Sequence, residues 1–140
     1  MTDKELPSRF ATDAVHSGTQ HIGDAVNTPI FQSSTYKLTD ERYAGWAAGA
    51  QHTLLYARLS TVNSDAVAQK LVAMEHGEDA ETFSSGMGAI STTLLALLNQ
   101  GDHMVASADI YGGTYGLLTE EFPRFGISTT MADMRDPASY

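Results

Sequence analysis

Residues 80–98 read Ala80-Glu81-Thr82-Phe83-Ser84-Ser85-Gly86-Met87-Gly88-Ala89-Ile90-Ser91-Thr92-Thr93-Leu94-Leu95-Ala96-Leu97-Leu98. A short extended run, Ala80–Ser84, meets a glycine turn. The turn opens a helix in which Ile90, Leu94, Leu97 and Leu98 recur at helical spacing and form one apolar face. Asn99-Gln100-Gly101-Asp102 ends that helix, and His103–Ser107 is the next strand, centred on Met104-Val105-Ala106. The pattern then repeats. Asp109-Ile110-Tyr111-Gly112-Gly113 is a turn, and Thr114–Phe122 a helix burying Leu117, Leu118 and Phe122. Phe125-Gly126 is a close, and Ile127–Ala132 a strand. Strand, turn and helix in alternation predict an α/β fold with a largely parallel sheet, flanking helices and right-handed crossovers.

Upstream of this unit the pattern loosens. Asn63-Ser64-Asp65 starts a helix in which Val67, Leu71 and Met74 recur at helical spacing, and His76-Gly77 stops it. Residues 1 to about 55 are poorly periodic. Thr28-Pro29 disfavours helix at Thr28, Ile30–Tyr36 suits an extended chain, and Thr39-Asp40-Glu41-Arg42 offers a short helix with a cap and leading acids. The division expected is an N-terminal arm over 1–60 and the first part of an α/β domain over 61–140. Downstream, Asp136-Pro137 has the chemistry of a helix start, yet Tyr140 follows three residues later. The expectation is that these residues belong to a longer protein.

Composition narrows the function. The 140 residues are 42% apolar, enough for a core. The net charge is −9, with three lysines and five arginines, which argues against nucleic acid as a partner, because that needs a cationic footprint. With no cysteine there is neither a disulfide framework nor a thiolate nucleophile. No apolar leader stands in the first residues, and the apolar run Leu94–Leu98 is too short to cross a bilayer. A cytoplasmic protein with no membrane partner is expected. The histidines at 16, 21, 52, 76 and 103 form no i, i+4 pair, so no metal site is expected, and Glu120-Glu121 reads as a solvated helix face.

Three turns carry candidate chemistry. At Ser85-Gly86-Met87-Gly88 a helix start would offer unpaired N–H groups to an anion, with glycine admitting close approach; Gly86 and Met87 are the candidate phosphate donors. Taken alone, such a turn is more often plain structure. A dinucleotide fingerprint fails because Ser91 stands where its third glycine belongs. A Walker loop fails for want of a lysine, and a nucleophile elbow on Ser85 fails at Phe83. At Tyr111-Gly112-Gly113-Thr114, Tyr111 could lie over a flat ring and move a proton, or simply pack at a turn. In Tyr56-Ala57-Arg58, the guanidinium suits a phosphate, and two residues apart in extended chain face one side; a solvated Arg beside a half-buried Tyr is the plainer alternative.

Taken in order, these segments resemble the Cys/Met-metabolism family of pyridoxal-phosphate (PLP) enzymes, of the cystathionine γ-synthase and γ-lyase type. The match runs from Phe10-Ala11-Thr12 and His16-Ser17-Gly18 through Pro29–Tyr36 and Tyr56-Ala57-Arg58 to Leu71–Glu75. It continues with Ser85–Ile90, Gly101-Asp102, Tyr111–Tyr115 and Arg124–Ile127.

The resemblance implies an aspartate-aminotransferase-like, type I fold and a full chain well over twice this length. It implies that Gly86 and Met87 hold the PLP phosphate, and that Tyr111 stacks on the pyridine ring and shares in proton transfer. It implies that Tyr56 and Arg58 reach the phosphate of a neighbouring subunit in a homodimer or homotetramer with shared active sites. The substrate implied is a small sulfur amino acid, and the reaction γ-elimination or γ-replacement. O-acetylhomoserine sulfhydrylase and methionine γ-lyase are the alternatives inside the family.

A non-catalytic assembly module and another phosphate-ligand α/β enzyme stand as rivals outside it. The lysine that would hold PLP covalently, the acid at its pyridine nitrogen and the substrate-carboxylate arginine are all expected beyond residue 140. Lys4, Lys37 and Lys70 lie outside any matching context, so the chain alone is expected to be inactive. Thr61-Val62-Asn63 and Ala68 depart from the family pattern. Gly113 stands where methionine γ-lyases of the family usually carry cysteine, which tilts the expectation toward the cystathionine enzymes.

Overall fold

The structure is a computed structural model and describes residues 10–49 and 53–140. His52 and Lys4 lie outside the described residues. The chain forms two compact units that divide between Thr82 and Phe83.

In the first unit, α1 (Phe10–His16), α2 (Asp40–Ala47) and α3 (Val62–Glu75) are joined by irregular chain. Helix α1, in the loosely patterned region, was not expected from the sequence. Helix α2 begins where Thr39 accepts from the Arg42 N–H, with Asp40 and Glu41 at its positive end. Thr61 caps α3 reciprocally: its hydroxyl takes the Ser64 N–H at 3.0 Å, and the Ser64 hydroxyl takes the Thr61 N–H at 2.9 Å. The helix stops at His76, which is left-handed at φ 54°. A single antiparallel bridge joins Thr35 to Tyr56, so Ile30–Tyr36 is only locally paired.

The inward face of α3 differs from the expected one. Val62 and Ala68 are its buried residues, whereas Val67 and Leu71 are exposed. The reason is what packs on it. Gly18, at φ +70°, brings the end of the arm so close that a Cβ there would meet the Ala66 carbonyl oxygen and the Lys70 nitrogen. Lys70 Nζ then donates to the carbonyls of Ala14 and Val15, at 2.8 and 3.1 Å, in the last turn of α1. Asn63 adds a second tie to the arm, donating to the Pro29 carbonyl and accepting from the Phe31 N–H.

In the second unit, α4 (Gly86–Leu97) leads to β1 (His103–Ser107), and α5 (Gly112–Gly116) leads towards β2 (Ser128–Ala132). The strands pair in parallel from His103 opposite Ser128 to Ser107 opposite Ala132. A parallel pair needs a crossover, and the helical chain from Gly112 to Phe125 supplies it. That segment is not the single helix expected over Thr114–Phe122. After α5 the turns widen through Leu117–Glu121, where the Phe122 N–H reaches back to Leu117, and then tighten into a 3₁₀ turn over Phe122–Phe125. Pro123 is the cause: it has no N–H to donate, and its ring would crowd the preceding turn of a regular helix.

Leu118, Phe122 and Ile127 are buried at the centre of this unit, with Leu94, Leu98, Met104, Ala106, Ile110, Leu117 and Met131 packed around them. Leu94 and Leu98 therefore face inward as expected, but Leu97 is 70% exposed. Ala80–Ser84 forms no strand. The Ala80 and Thr82 N–H groups turn to the side chains of Asp79 and Glu81 instead of a neighbouring strand. The sheet among the described residues is thus two-stranded. At its carboxyl end Asp136 caps a short turn, Pro137–Ser139, through the Ala138 N–H.

Phe122 is fully buried, so Phe122→Ala leaves a cavity beneath both strands. The expected loss is about 3–5 kcal/mol, read from the urea midpoint.

Candidate cofactor site

Helix α4 starts as its sequence dictates. Ser85 is extended, at φ −158° and ψ 157°, and its hydroxyl accepts the Gly88 N–H at 2.9 Å. The Ala89 N–H closes the first helical bond onto the Ser85 carbonyl. Gly86 and Met87 are the first two helical residues, whose N–H groups a helix cannot satisfy internally. A Cβ built on Gly86 would meet nothing within 4 Å. The positive end of a twelve-residue helix is thus open at Gly86, as the approach of an anion requires.

Tyr111 follows β1 and precedes α5, at the carboxyl end of the strand, where ligands of parallel sheets collect. It is 72% exposed. The two helix starts are adjacent. The Thr114 hydroxyl lies 3.6 Å from Met87 Sδ. A Cβ on Gly113 would fall 2.6 Å from Tyr111 Cε1 and 3.3 Å from Met87 Sδ. Gly86, Met87 and Tyr111 are therefore brought together: amide donors on one helix start, an open aromatic face on the next. Thr114 was read as part of the Tyr111 turn but with no partner, because a threonine in a helix gives no signal of what it touches.

The site lacks a free permanent cation of its own. Residues 83–140 hold no lysine and two arginines, and both are engaged. Arg124 pairs with Glu121 at 2.6 Å. Arg135 forks onto Asp133, at 2.9 and 3.0 Å. Hydrogen bonds from the Arg135 side chain, and then from its backbone, hold the Asp133 carboxyl below its ordinary range. Both groups are open to solvent, so the pair adds little to stability.

The other candidate cation is in the first unit. Arg58 lies in a turn, with its guanidinium carbon 5.7 Å from the centre of the Tyr56 ring. Both side chains are exposed. Tyr56 and Arg58 thus associate, although through a turn and not through an extended strand. Among the described residues no His, Asp, Glu or Cys group could hold a metal ion, and no helix is long and apolar enough to cross a membrane.

Comparison with known proteins decides the family. Residues 11–140 match the model of the Cys/Met metabolism PLP-dependent enzymes. The chain belongs to this family. It is 39% identical over 134 residues to the L-methionine gamma-lyase of Porphyromonas gingivalis, covering 94% of this chain and 34% of that protein. It is 38% identical over 130 residues to a probable cystathionine gamma-synthase of Herpetosiphon aurantiacus, covering 91% and 38%.

Among solved structures, a putative O-acetylhomoserine (thiol)-lyase of Campylobacter jejuni superposes with a TM-score of 0.86 at 29% identity, covering 94% of this chain and 33% of that one. That structure carries a pyridoxyl-lysine phosphate. The fold is the N-terminal part of the type I PLP-enzyme fold, helices around a small parallel sheet. The chain spans about a third of the length of the curated relatives it matches.

Substitutions at Ser85 have two expected outcomes. Ser85→Ala removes the α4 cap and costs about 1 kcal/mol in a thermal melt. Ser85→Asp keeps the cap yet sets a carboxylate beside the amides, so inorganic phosphate binds more weakly by calorimetric titration while the melt is preserved. The Asp133 carboxyl, followed by NMR, should titrate below an ordinary aspartate. Its folded-state pKa is depressed, so its small contribution is present above the unfolded value and is lost as pH falls through the folded one. Arg135→Gln should return the midpoint toward the ordinary value.

Proposed function

We propose that this chain carries half of the cofactor site of a PLP-dependent carbon–sulfur lyase or transferase acting on small sulfur amino acids, by γ-elimination or γ-replacement. The observation that carries the reading is the pairing of two unsatisfied amides, at Gly86 and Met87, with the open ring of Tyr111 across adjacent helix starts. PLP fits these residues: its phosphate dianion suits the helix start, and its flat ring suits an exposed tyrosine. When bound, it supplies an electron sink for carbanion chemistry.

The roles of the chain's own residues follow. Gly86 and Met87 bind phosphate by their N–H groups. Tyr111 bears on one face of the cofactor ring, fixing its plane, and its hydroxyl is placed to hold or move a proton at the substrate. Arg58, steadied against Tyr56, supplies the cation that residues 83–140 lack. We assign that contribution to the site of a neighbouring subunit, in a homodimer or homotetramer, with residues 1–60 as the arm that reaches the partner. The covalent lysine and the substrate-carboxylate arginine belong to the two thirds of the relatives' length that this chain does not match. The cytoplasm suits such an enzyme. Within the family, Gly113 favours a cystathionine γ-lyase or γ-synthase type.

Gly86→Pro tests the reading. Proline suits the first helical position, and the extended Ser85 before it is the conformation proline demands, so the helix survives while one N–H is deleted. A charge-assisted bond is worth about 1.5–3 kcal/mol, so PLP should bind the full-length protein roughly 10- to 100-fold more weakly, read from its near-visible absorbance. Unchanged affinity would remove the phosphate from this helix start, and a wild-type protein that binds no PLP would leave only an assembly module.

A further inference from the structure

Arg58 stands on an exposed turn that ends on a buried hydroxyl. Residues Tyr56 to Leu59 are exposed, whereas Ser60 is 4% exposed. Among the described residues it is the one polar residue buried so deeply. A hydroxyl taken out of water is unfavourable unless it is hydrogen-bonded, and an alanine there would avoid that cost. Ser60 meets it by donating to Asp65 Oδ1 at 2.7 Å, across the start of α3. At its other end the turn is pinned by backbone. The Ala57 N–H donates to the Ser34 carbonyl at 2.8 Å, and the Tyr36 N–H to the Leu55 carbonyl at 3.1 Å, around the bridge of Thr35 with Tyr56. Inside the turn the Tyr56 carbonyl accepts from the N–H groups of Leu59 and Ser60, at 2.8 and 3.2 Å.

We infer that Ser60 is a positioning residue for Arg58: its bond to Asp65 sets where the backbone of residue 58 stands relative to α3. The start of α3 has its own supports. Thr61 and Ser64 cap it reciprocally, and the Asp65 carboxylate already lies in its first, positive turn. Those supports fix the chain from Thr61 onward and leave the preceding turn untied. Ser60 makes the join, since one residue carries both the last backbone bond of the turn and the side-chain bond that fastens it to the helix. Resting on the PLP reading, in which Arg58 serves a phosphate, the anchored turn offers the arginine from a fixed base. Less order then has to be imposed on the chain when the phosphate binds. Ser60 touches no ligand in this scheme and acts through residue 58 alone.

The test uses full-length protein freed of bound small molecules. Hydrogen exchange is followed by mass spectrometry over residues 57–60, and affinity is read with pyridoxine 5′-phosphate, which lacks the aldehyde. Ser60→Ala should speed exchange in that segment roughly 10-fold and weaken the ligand about 3- to 10-fold. Arg58→Ala should weaken it roughly 10- to 100-fold, and Ser60→Ala added to Arg58→Ala should weaken it no further, because the two residues act as one. Asp65→Asn keeps an acceptor for the hydroxyl and should stay near wild type in both readouts. Thr39→Ala, which removes the cap of α2, should lower the thermal midpoint yet leave affinity unchanged. Unchanged exchange in Ser60→Ala overturns the role of Ser60. So does a ligand loss of equal size with and without Arg58, or wild-type affinity in Ser60→Ala where Arg58→Ala binds weakly. Arg58→Ala that binds as wild type does overturns the place of Arg58 in the PLP reading instead, and exchange over 57–60 still decides whether Ser60 holds the turn.

Discussion

The parallel pairing of β1 with β2 is the constraint from which the second unit follows. Two strands running the same way cannot be joined by a hairpin, so the chain must cross over them, and it does so as helix. Because each helix returns against the direction of the strands, helix starts gather at the carboxyl edge of the sheet. The contact of Met87 with Thr114 is the local expression of that geometry. The buried cluster of Leu118, Phe122 and Ile127 holds the crossover down, and Ile110, just before Tyr111, packs against it.

The electrostatics of the site are unusual for a phosphate ligand. An acidic chain carries two arginines in this unit and occupies both on neighbouring carboxylates. What remains is directional and neutral: N–H groups at a helix end, with glycine allowing contact. Such donors are rigid and carry no net charge, so they select by geometry more than by long-range attraction. The first unit holds one further arginine beside an aromatic ring, Arg58, whose guanidinium carbon lies 5.7 Å from the centre of the Tyr56 ring.

Much of this was legible in the sequence where local chemistry acts alone. Thr39 and Asp136 cap where they were expected to, and β1 and β2 lie within the short runs read as strands, while α3 is capped at Thr61, two residues ahead of the start read at Asn63-Ser64-Asp65. The candidate residues Gly86, Met87 and Tyr111 were visible as turns, though not that they share one place. Other features depend on partners that periodicity does not name. The arm packs on α3 through backbone, so Val62 and Ala68 are buried where Val67 and Leu71 were expected. Pro123 reshapes the turns before it, and side-chain acceptors at Asp79 and Glu81 claim the amides of the expected strand at Ala80–Ser84.

The hold of the arm on α3 has a thermodynamic consequence. Helix α1 buries none of its residues, and its attachment includes a lysine on two carbonyls and a glycine laid against backbone. Detachment of that helix would uncover little apolar surface. It would therefore carry a small heat-capacity increment and a shallow dependence on denaturant, unlike the opening of the Phe122 core. Two parts of one chain would thus come apart under different laws: the arm by loss of a few directed bonds, the sheet unit by hydration of its interior.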